Sequence, residues 1–266
     1  TVGCGPLAKF MTQKRITYLK QALTQYSQRL DQKGFVANHD GNLTVKIDSG
    51  YLATPTSVPK AFITPEQIIT LDFQGKKTAG VGKPFGELNL HLAAYQARPD
   101  AQAVIHAHPP FATAFGLTGQ PIKPRLPEAI VSLGGLIPLA PYSMPGSPQN
   151  AVAVHEALMI GDVFLIAGNG VLAIGDDLEQ AYLRLELVEH LAKIEFYASH
   201  LGATMDLPAE DRQALLDKRK TLGLGPQAQL GDIPRPVARP EQKTKDALTD
   251  DIKDIIAEEI AKALKQ

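Results

Sequence analysis

Two histidines placed two residues apart, His106 and His108, carry the strongest chemical signal in this 266-residue chain. They close the apolar run Ala103-Val104-Ile105-His106-Ala107-His108, which reads as a short strand ended by Pro109-Pro110. Side chains two apart on a strand leave the same face, so both imidazoles can reach one ion. Neutral imidazole suits zinc and other first-row divalent ions. A His-x-His pair also arises by accident on a solvent-facing strand, and the pair alone leaves both readings open.

Glu87 is the second signal. It stands one helical turn before His91 and just after the glycine- and proline-rich stretch 80–86. A carboxylate at a helix start beside a metal is placed to move a proton at a carbon whose carbonyl the metal polarises. A helix-dipole partner in the first turn is the plainer reading, and Glu87 by itself favours it. His91, His155, His190 and His200 fall in expected helices and read as packing or surface residues rather than ligands. His39 lies in a loop two residues before Gly41-Asn42, where it can approach a cleft. Gly41, Asn42, Thr56 and Ser57 supply backbone amides, one side-chain amide and two hydroxyls. Such groups suit an anionic or polyhydroxylated ligand, although ordinary turns use the same residues.

The elements that must position these residues are legible from periodicity. Ile16, Leu19, Leu23, Tyr26 and Leu30 predict a helix ended at Gly34. Alternation over 41–47 predicts a half-buried strand, paired through a turn at 48–50 with a second strand at 51–53. A strand follows at 68–73, then a loop at 75–82. Pro84 is expected to open a helix that runs through Glu87 and Tyr95 to Pro99. Beyond the histidines come a short helix at 111–117, a turn and brief strand in 130–139, and a helix at 149–159. Strands at 163–167 and 171–174 flank the tight turn Gly168-Asn169-Gly170, and a long helix covers 178–200. Short strands alternating with helices give an α/β or α+β class, with helices covering a sheet.

Composition narrows the function. Hydrophobic residues make up 44% and charged residues 21%, enough for a packed core and against bulk disorder. The net charge of −1 gives no basic face for nucleic acid. With one cysteine, Cys4, neither an intrachain disulfide nor a thiolate cluster can form, and the cytoplasm is the expected compartment. The first ten residues lack a signal-peptide pattern, and no apolar run suits a membrane helix. Residues 1–222 read as one domain, 223–246 as a proline- and glycine-rich linker, and 247–266 as a helix. That last helix carries an apolar stripe of Leu248, Ile252, Ile255, Ile256, Ile260 and Leu264.

The segments Gly41–Val45, Thr54–Pro59, Gly86–Pro110 and Phe164–Ala181 together resemble the class II aldolase/adducin family over roughly Ile16 to Ala198. The resemblance implies a three-layer α/β fold, a central mainly antiparallel sheet flanked by helices. It implies a homotetramer with sites near subunit interfaces, and a divalent metal, by resemblance zinc, held by histidines. By the match, His106 and His108 take ligand positions and Glu87 the catalytic glutamate. Gly41, Asn42, Thr56, Ser57 and Gly86 hold the substrate, with Asn42 and Thr56 at its phosphate. Three departures stand out. Asn169 occupies the third ligand position, where the family has histidine; an amide oxygen is a harder, weaker ligand and tilts the site toward manganese or magnesium. Phe85-Gly86 stand where phosphate-binding members carry two serines, which weakens the case for a phosphorylated substrate. Tyr142, in a loop, does not clearly match the family's tyrosine proton donor. The implied activity is carbon–carbon lyase chemistry, aldol cleavage or condensation, on a sugar-derived substrate, free or phosphorylated. A decarboxylase or epimerase using the same enediolate chemistry is not separated from it, and an impaired, adducin-like assembly protein is the contrasting reading. The C-terminal linker and helix are similar to the tails of bacterial microcompartment cargo enzymes. Such a helix docks on a shell or cargo protein, or packs on its own oligomer.

Overall fold

The computed structural model describes residues 6–144, 146–226 and 228, with side chains from 13 onward. The expected C-terminal helix, and the linker from 229, lie outside the described residues. Eight strands form one sheet: β1 (Asn42–Ile47), β2 (Gly50–Ala53), β3 (Ile69–Leu71), β4 (Lys77–Ala79), β5 (Ala103–Ala107), β6 (Leu139–Ala140), β7 (Val163–Ile166) and β8 (Val171–Gly175). Their order is β4-β3-β2-β1-β5-β8-β7-β6, and every neighbouring pair is antiparallel except β6–β7. The α/β, three-layer reading is correct. Among the described residues no helix is long and apolar enough to cross a membrane.

The period of two along β1 and β5 sorts side chains between two cores. Leu43, Val45, Ile47, Ala103, Ile105 and Ala107 pack beneath α1 (Pro6–Gln32), α3 (Pro110–Thr118) and α6 (Leu178–Leu201). Asn42, Thr44, Val104 and His106 point the other way, toward α2 (Leu88–Ala97) and α5 (Pro148–Leu158). The half-buried expectation for 41–47 is therefore corrected: five of the six β1 residues are buried. The alternation is real, but its polar members Asn42 and Thr44 face α2 and are hydrogen-bonded there.

Other boundaries differ for local reasons. The helix expected from Pro84 begins at Leu88. The first four residues of the stretch read as a turn and strand over 130–139 belong to α4 (Pro127–Leu133), started by a first-turn proline and closed by Gly134 at φ +99°, and the brief strand falls at its end, as β6. The 75–82 loop contains β4, an edge strand exposed throughout and so without an apolar pattern. A further helix, α7 (Ala209–Thr221), has one buried residue, Arg219, and no apolar stripe to announce it.

Arg219 joins α7 to a buried ionic cluster. Asp162, 2% exposed, accepts Arg98 Nη1 at 2.7 Å on one oxygen. Its other oxygen faces Arg184 Nη2 at 3.0 Å and Arg219 Nη2 at 3.2 Å. One carboxylate thus ties the end of α2, the body of α6 and α7 to the start of β7. Asp162→Asn keeps the shape but leaves Arg184 and Arg219 short of counter-charge and Arg98 with Asp100 alone. The expected loss is about 3–5 kcal/mol of unfolding free energy, read from urea denaturation. A loss below ~1 kcal/mol would show that the cluster contributes little.

Candidate metal centre

Adjacent central strands assemble the site. In the β1–β5 register Asn42 lies opposite His106, and in β5–β8 Ala107 lies opposite Val171. The start of β1, the end of β5 and the β7–β8 turn therefore meet at one end of the central strands. Gly170 in that turn has φ +72°, and a Cβ there would fall on the Ala107 carbonyl and the His108 ring. Glu87 is the N-cap residue of α2, yet its side chain makes no cap hydrogen bond. The carboxylate turns instead to the histidines.

Three groups converge. His106 Nδ1 lies 3.0 Å from the Val171 carbonyl, which can only accept, so this nitrogen carries a proton and Nε2 faces the site. His108 Nδ1 faces Asp40 Oδ2 at 3.5 Å, and its Nε2 stands 3.1 Å from His106 Nε2. Glu87 Oε1 lies 3.3 Å from His106 Nε2. One ligand atom from each of Glu87, His106 and His108 lies within 4.8 Å of the others. Two ring nitrogens turned on one another and a carboxylate oxygen form a set that a shared cation satisfies. Asp40 behind His108, and the Val171 carbonyl behind His106, stand where the outer partners of metal-binding imidazoles stand.

The electrostatics agree. Burial pushes the Glu87 carboxyl up, but the His106 imidazole beside it, then the amides of Asn169 and Asn42, outweigh it. The group is held well below the usual carboxylate range. Burial and then the neighbouring His106 push the His108 imidazole down, against Asp40 and Glu87. Glu87 is thus ionised and His108 neutral, the forms that bind a cation.

Residues 21–196 match the family model for the class II aldolase and adducin N-terminal domain. This chain belongs to the class II aldolase and adducin family. It is 36% identical over 188 residues to the L-fuculose phosphate aldolase of Escherichia coli O6:H1, covering 69% of this chain and 86% of the relative. It is 31% identical over 183 residues to the 3-oxo-tetronate 4-phosphate decarboxylase of Haemophilus influenzae, covering 66% of this chain and 86% of that protein. A solved structure of L-fuculose 1-phosphate aldolase superposes with a TM-score of 0.69 at 29% identity, covering 76% of this chain and 96% of the other. The chain is an enzyme of the class II aldolase type.

Within this class II aldolase the expected residues divide into two groups. Glu87, His106, His108, Asn42 and Asn169 come together: Asn42 Nδ2 donates to Glu87 Oε2 at 2.9 Å and Asn169 Nδ2 to Oε1 at 2.8 Å. Gly41 adopts φ +73° at the entry to β1. Thr56 and Ser57 sit on the loop after β2, where Ser57 takes a left-handed φ of +61°, and among the described residues neither hydroxyl bonds to the cluster. Gly86 is exposed, with open space where a Cβ would stand. Tyr142 lies away from the cluster, its hydroxyl on Met144. His39 is exposed and offers only its carbonyl, to Lys60; its neighbour Asp40 is the residue that reaches His108. Sequence reasoning missed Asp40, which reads as a turn residue, and left His91 as packing. His91 is fully buried but bonded to Asn42, and its spacing of four from Glu87 was the available signal.

Gly170→Ala tests the close approach of the β7–β8 turn. A left-handed φ costs a non-glycine residue about 1–2 kcal/mol, and the added methyl must push the His108 ring. Zinc affinity by chelator competition is expected to fall at least ~10-fold, with a lower denaturation midpoint. Unchanged values of both would show that the ring tolerates displacement.

Proposed function

We propose that the chain is a divalent-metal-dependent carbon–carbon lyase that cleaves or forms an aldol bond in a small sugar-derived substrate bearing a phosphate. The convergence of Glu87, His106 and His108 carries this reading. Two imidazoles and a carboxylate favour zinc among divalent ions, with manganese next. Asn169, placed as a ligand from the sequence, donates its NH2 to Glu87 and so also holds that carboxylate, with its Oδ1 left for the ion. When bound, the ion supplies Lewis-acid polarisation of a carbonyl oxygen.

The chain's own residues do the rest. Ionised Glu87 accepts the proton released as the bond between substrate carbons breaks, and returns it in the reverse direction. The backbone at Gly41 and Gly86 and the hydroxyls of Thr56 and Ser57 receive the far, anionic end of the substrate. The phosphate is supported by the substrate names of both relatives. A second reading, decarboxylation of a 3-oxo acid, is favoured by one observation: both Glu87 oxygens already accept amide N–H groups, which weakens the base. Loss of carbon dioxide from such an acid needs a polarised carbonyl and no base on the substrate.

A panel of ketose 1-phosphates and 3-oxo acid phosphates, run with zinc, manganese and magnesium, separates the two. Glu87→Gln is expected to lower aldol cleavage by about 10²–10⁴-fold and to affect decarboxylation less. His106→Ala should lose the bound metal, and Asn169→His should hold it more tightly. Full lyase activity in Glu87→Gln, or no zinc uptake by the parent protein, would sink the proposal. The same reading includes a cytoplasmic homotetramer whose C-terminal segment docks on a shell or cargo protein. A chain ending at Gly223 should then sediment as the parent does; monomers would place the segment on its own oligomer instead.

A further inference from the structure

Behind Glu87 stands a file of four buried side chains. Asn42 Nδ2 lies 2.9 Å from Glu87 Oε2, and Asn42 Oδ1 lies 2.6 Å from His91 Nε2. His91 Nδ1 is 2.8 Å from Thr44 Oγ1, which is 3.0 Å from the Tyr95 hydroxyl. Asn42 and Tyr95 are 4% exposed, and Thr44 and His91 are fully enclosed, so water does not complete these bonds. Phe85 packs edge-on against His91 and Tyr51 stacks on Tyr95, closing the file on both sides.

The direction of every bond follows from one end. An ionised carboxylate only accepts, so Asn42 must turn its NH2 to Glu87 and its carbonyl to His91. His91 Nε2 must then carry a proton. Burial pushes this imidazole down to about 3, so it is neutral and Nδ1 accepts from the Thr44 hydroxyl. Thr44 has spent its one proton, and Tyr95, whose hydroxyl burial keeps protonated, donates to it. Read from the other end, Tyr95 and Thr44 fix the His91 tautomer, and that tautomer forbids the reversed Asn42 amide.

The geometry points to Tyr95, Thr44 and His91 as positioning residues that, through a one-directional hydrogen-bond relay, hold the Asn42 amide on Glu87 and so preset the carboxylate for metal and substrate. Asn42, expected at the substrate's phosphate, thus also holds Glu87 and keeps one amide hydrogen for a ligand. Its carbonyl and one amide hydrogen are already committed inside the protein. The inference rests on the metal-centre reading only where metal affinity is measured.

Thr44→Val removes the hydroxyl at nearly constant shape, and Thr44→Ser returns it. In the metal-free full-length parent, side-chain 15N spectra are expected to show His91 as the single Nε2–H tautomer and Asn42 with a shifted, carboxylate-bound amide proton. Thr44→Val should mix the His91 tautomers, move the Asn42 amide toward its free position, weaken zinc binding about 10-fold and lower kcat more than it raises KM. Thr44→Ser should restore all four. If Thr44→Val does not fold, Tyr95→Phe, which removes only the terminal donor, carries the same readouts. An Nδ1–H or doubly protonated His91 in the parent would overturn the relay. So would unchanged Asn42 resonances in a folded variant that lacks the hydroxyl. A parent that shows the expected spectra but takes up no zinc would overturn the metal reading and leave the relay standing.

Discussion

The antiparallel register of β1, β5 and β8 is the constraint on which the site depends. It sets Asn42 opposite His106 and brings the Gly168–Gly170 turn against Ala107 and His108. A slip of one residue would turn His106 into the opposite core and expose Leu43 and Ile105 to the polar file. The register is held because both faces of these strands are covered. An apolar residue has no solvent side to move to, and the buried polar residues on the α2 face satisfy one another and Glu87. An unpaired polar group there costs about 1–3 kcal/mol, so Asn42, Thr44 and His91 also specify the packing of α2 on the sheet.

Much of this was legible in the sequence. The His-x-His strand, the glutamate before a helix and the Gly-Asn-Gly turn are local signals, and strands and helices fell mostly where periodicity put them. What stayed hidden was relational. Thr44 looked solvent-facing because alternation cannot distinguish water from a buried hydroxyl or imidazole. His91 looked like a packing residue because its partners lie 47 and 49 positions away in sequence. Asp40 looked like a turn residue, since nothing in its neighbours announces that the chain returns beside His108. The helix α7 has no apolar stripe, because a buried arginine on Asp162 anchors it.

Asn169 changes the centre in a way its residue type alone does not reveal. An amide in place of a third imidazole removes a strong nitrogen ligand. In the fold, however, its NH2 reaches Glu87, so both carboxylate oxygens are held by amides from opposite sides of the site. The carboxylate gains a fixed orientation and loses basicity. Both effects favour Glu87 as a ligand and disfavour it as a strong base.

The loop that carries Thr56 and Ser57 is fixed by a buried charge. Lys60 is 2% exposed, and its Nζ donates to the carbonyls of His39 at 3.2 Å and Val58 at 3.3 Å. Burial pushes this amine down to about 8, with Asp40 acting against it, so it remains an ammonium ion at neutral pH. An enclosed ammonium needs several acceptors, and here they come from two separate loops. One loop carries Thr56 and Ser57; the other carries Asp40, which stands behind His108. The loop with the Thr56 and Ser57 hydroxyls and the carboxylate behind His108 are therefore tied to one another through Lys60. A displacement of either loop must break bonds to a charge that has no access to water, which explains how a left-handed Ser57 is tolerated on an exposed segment.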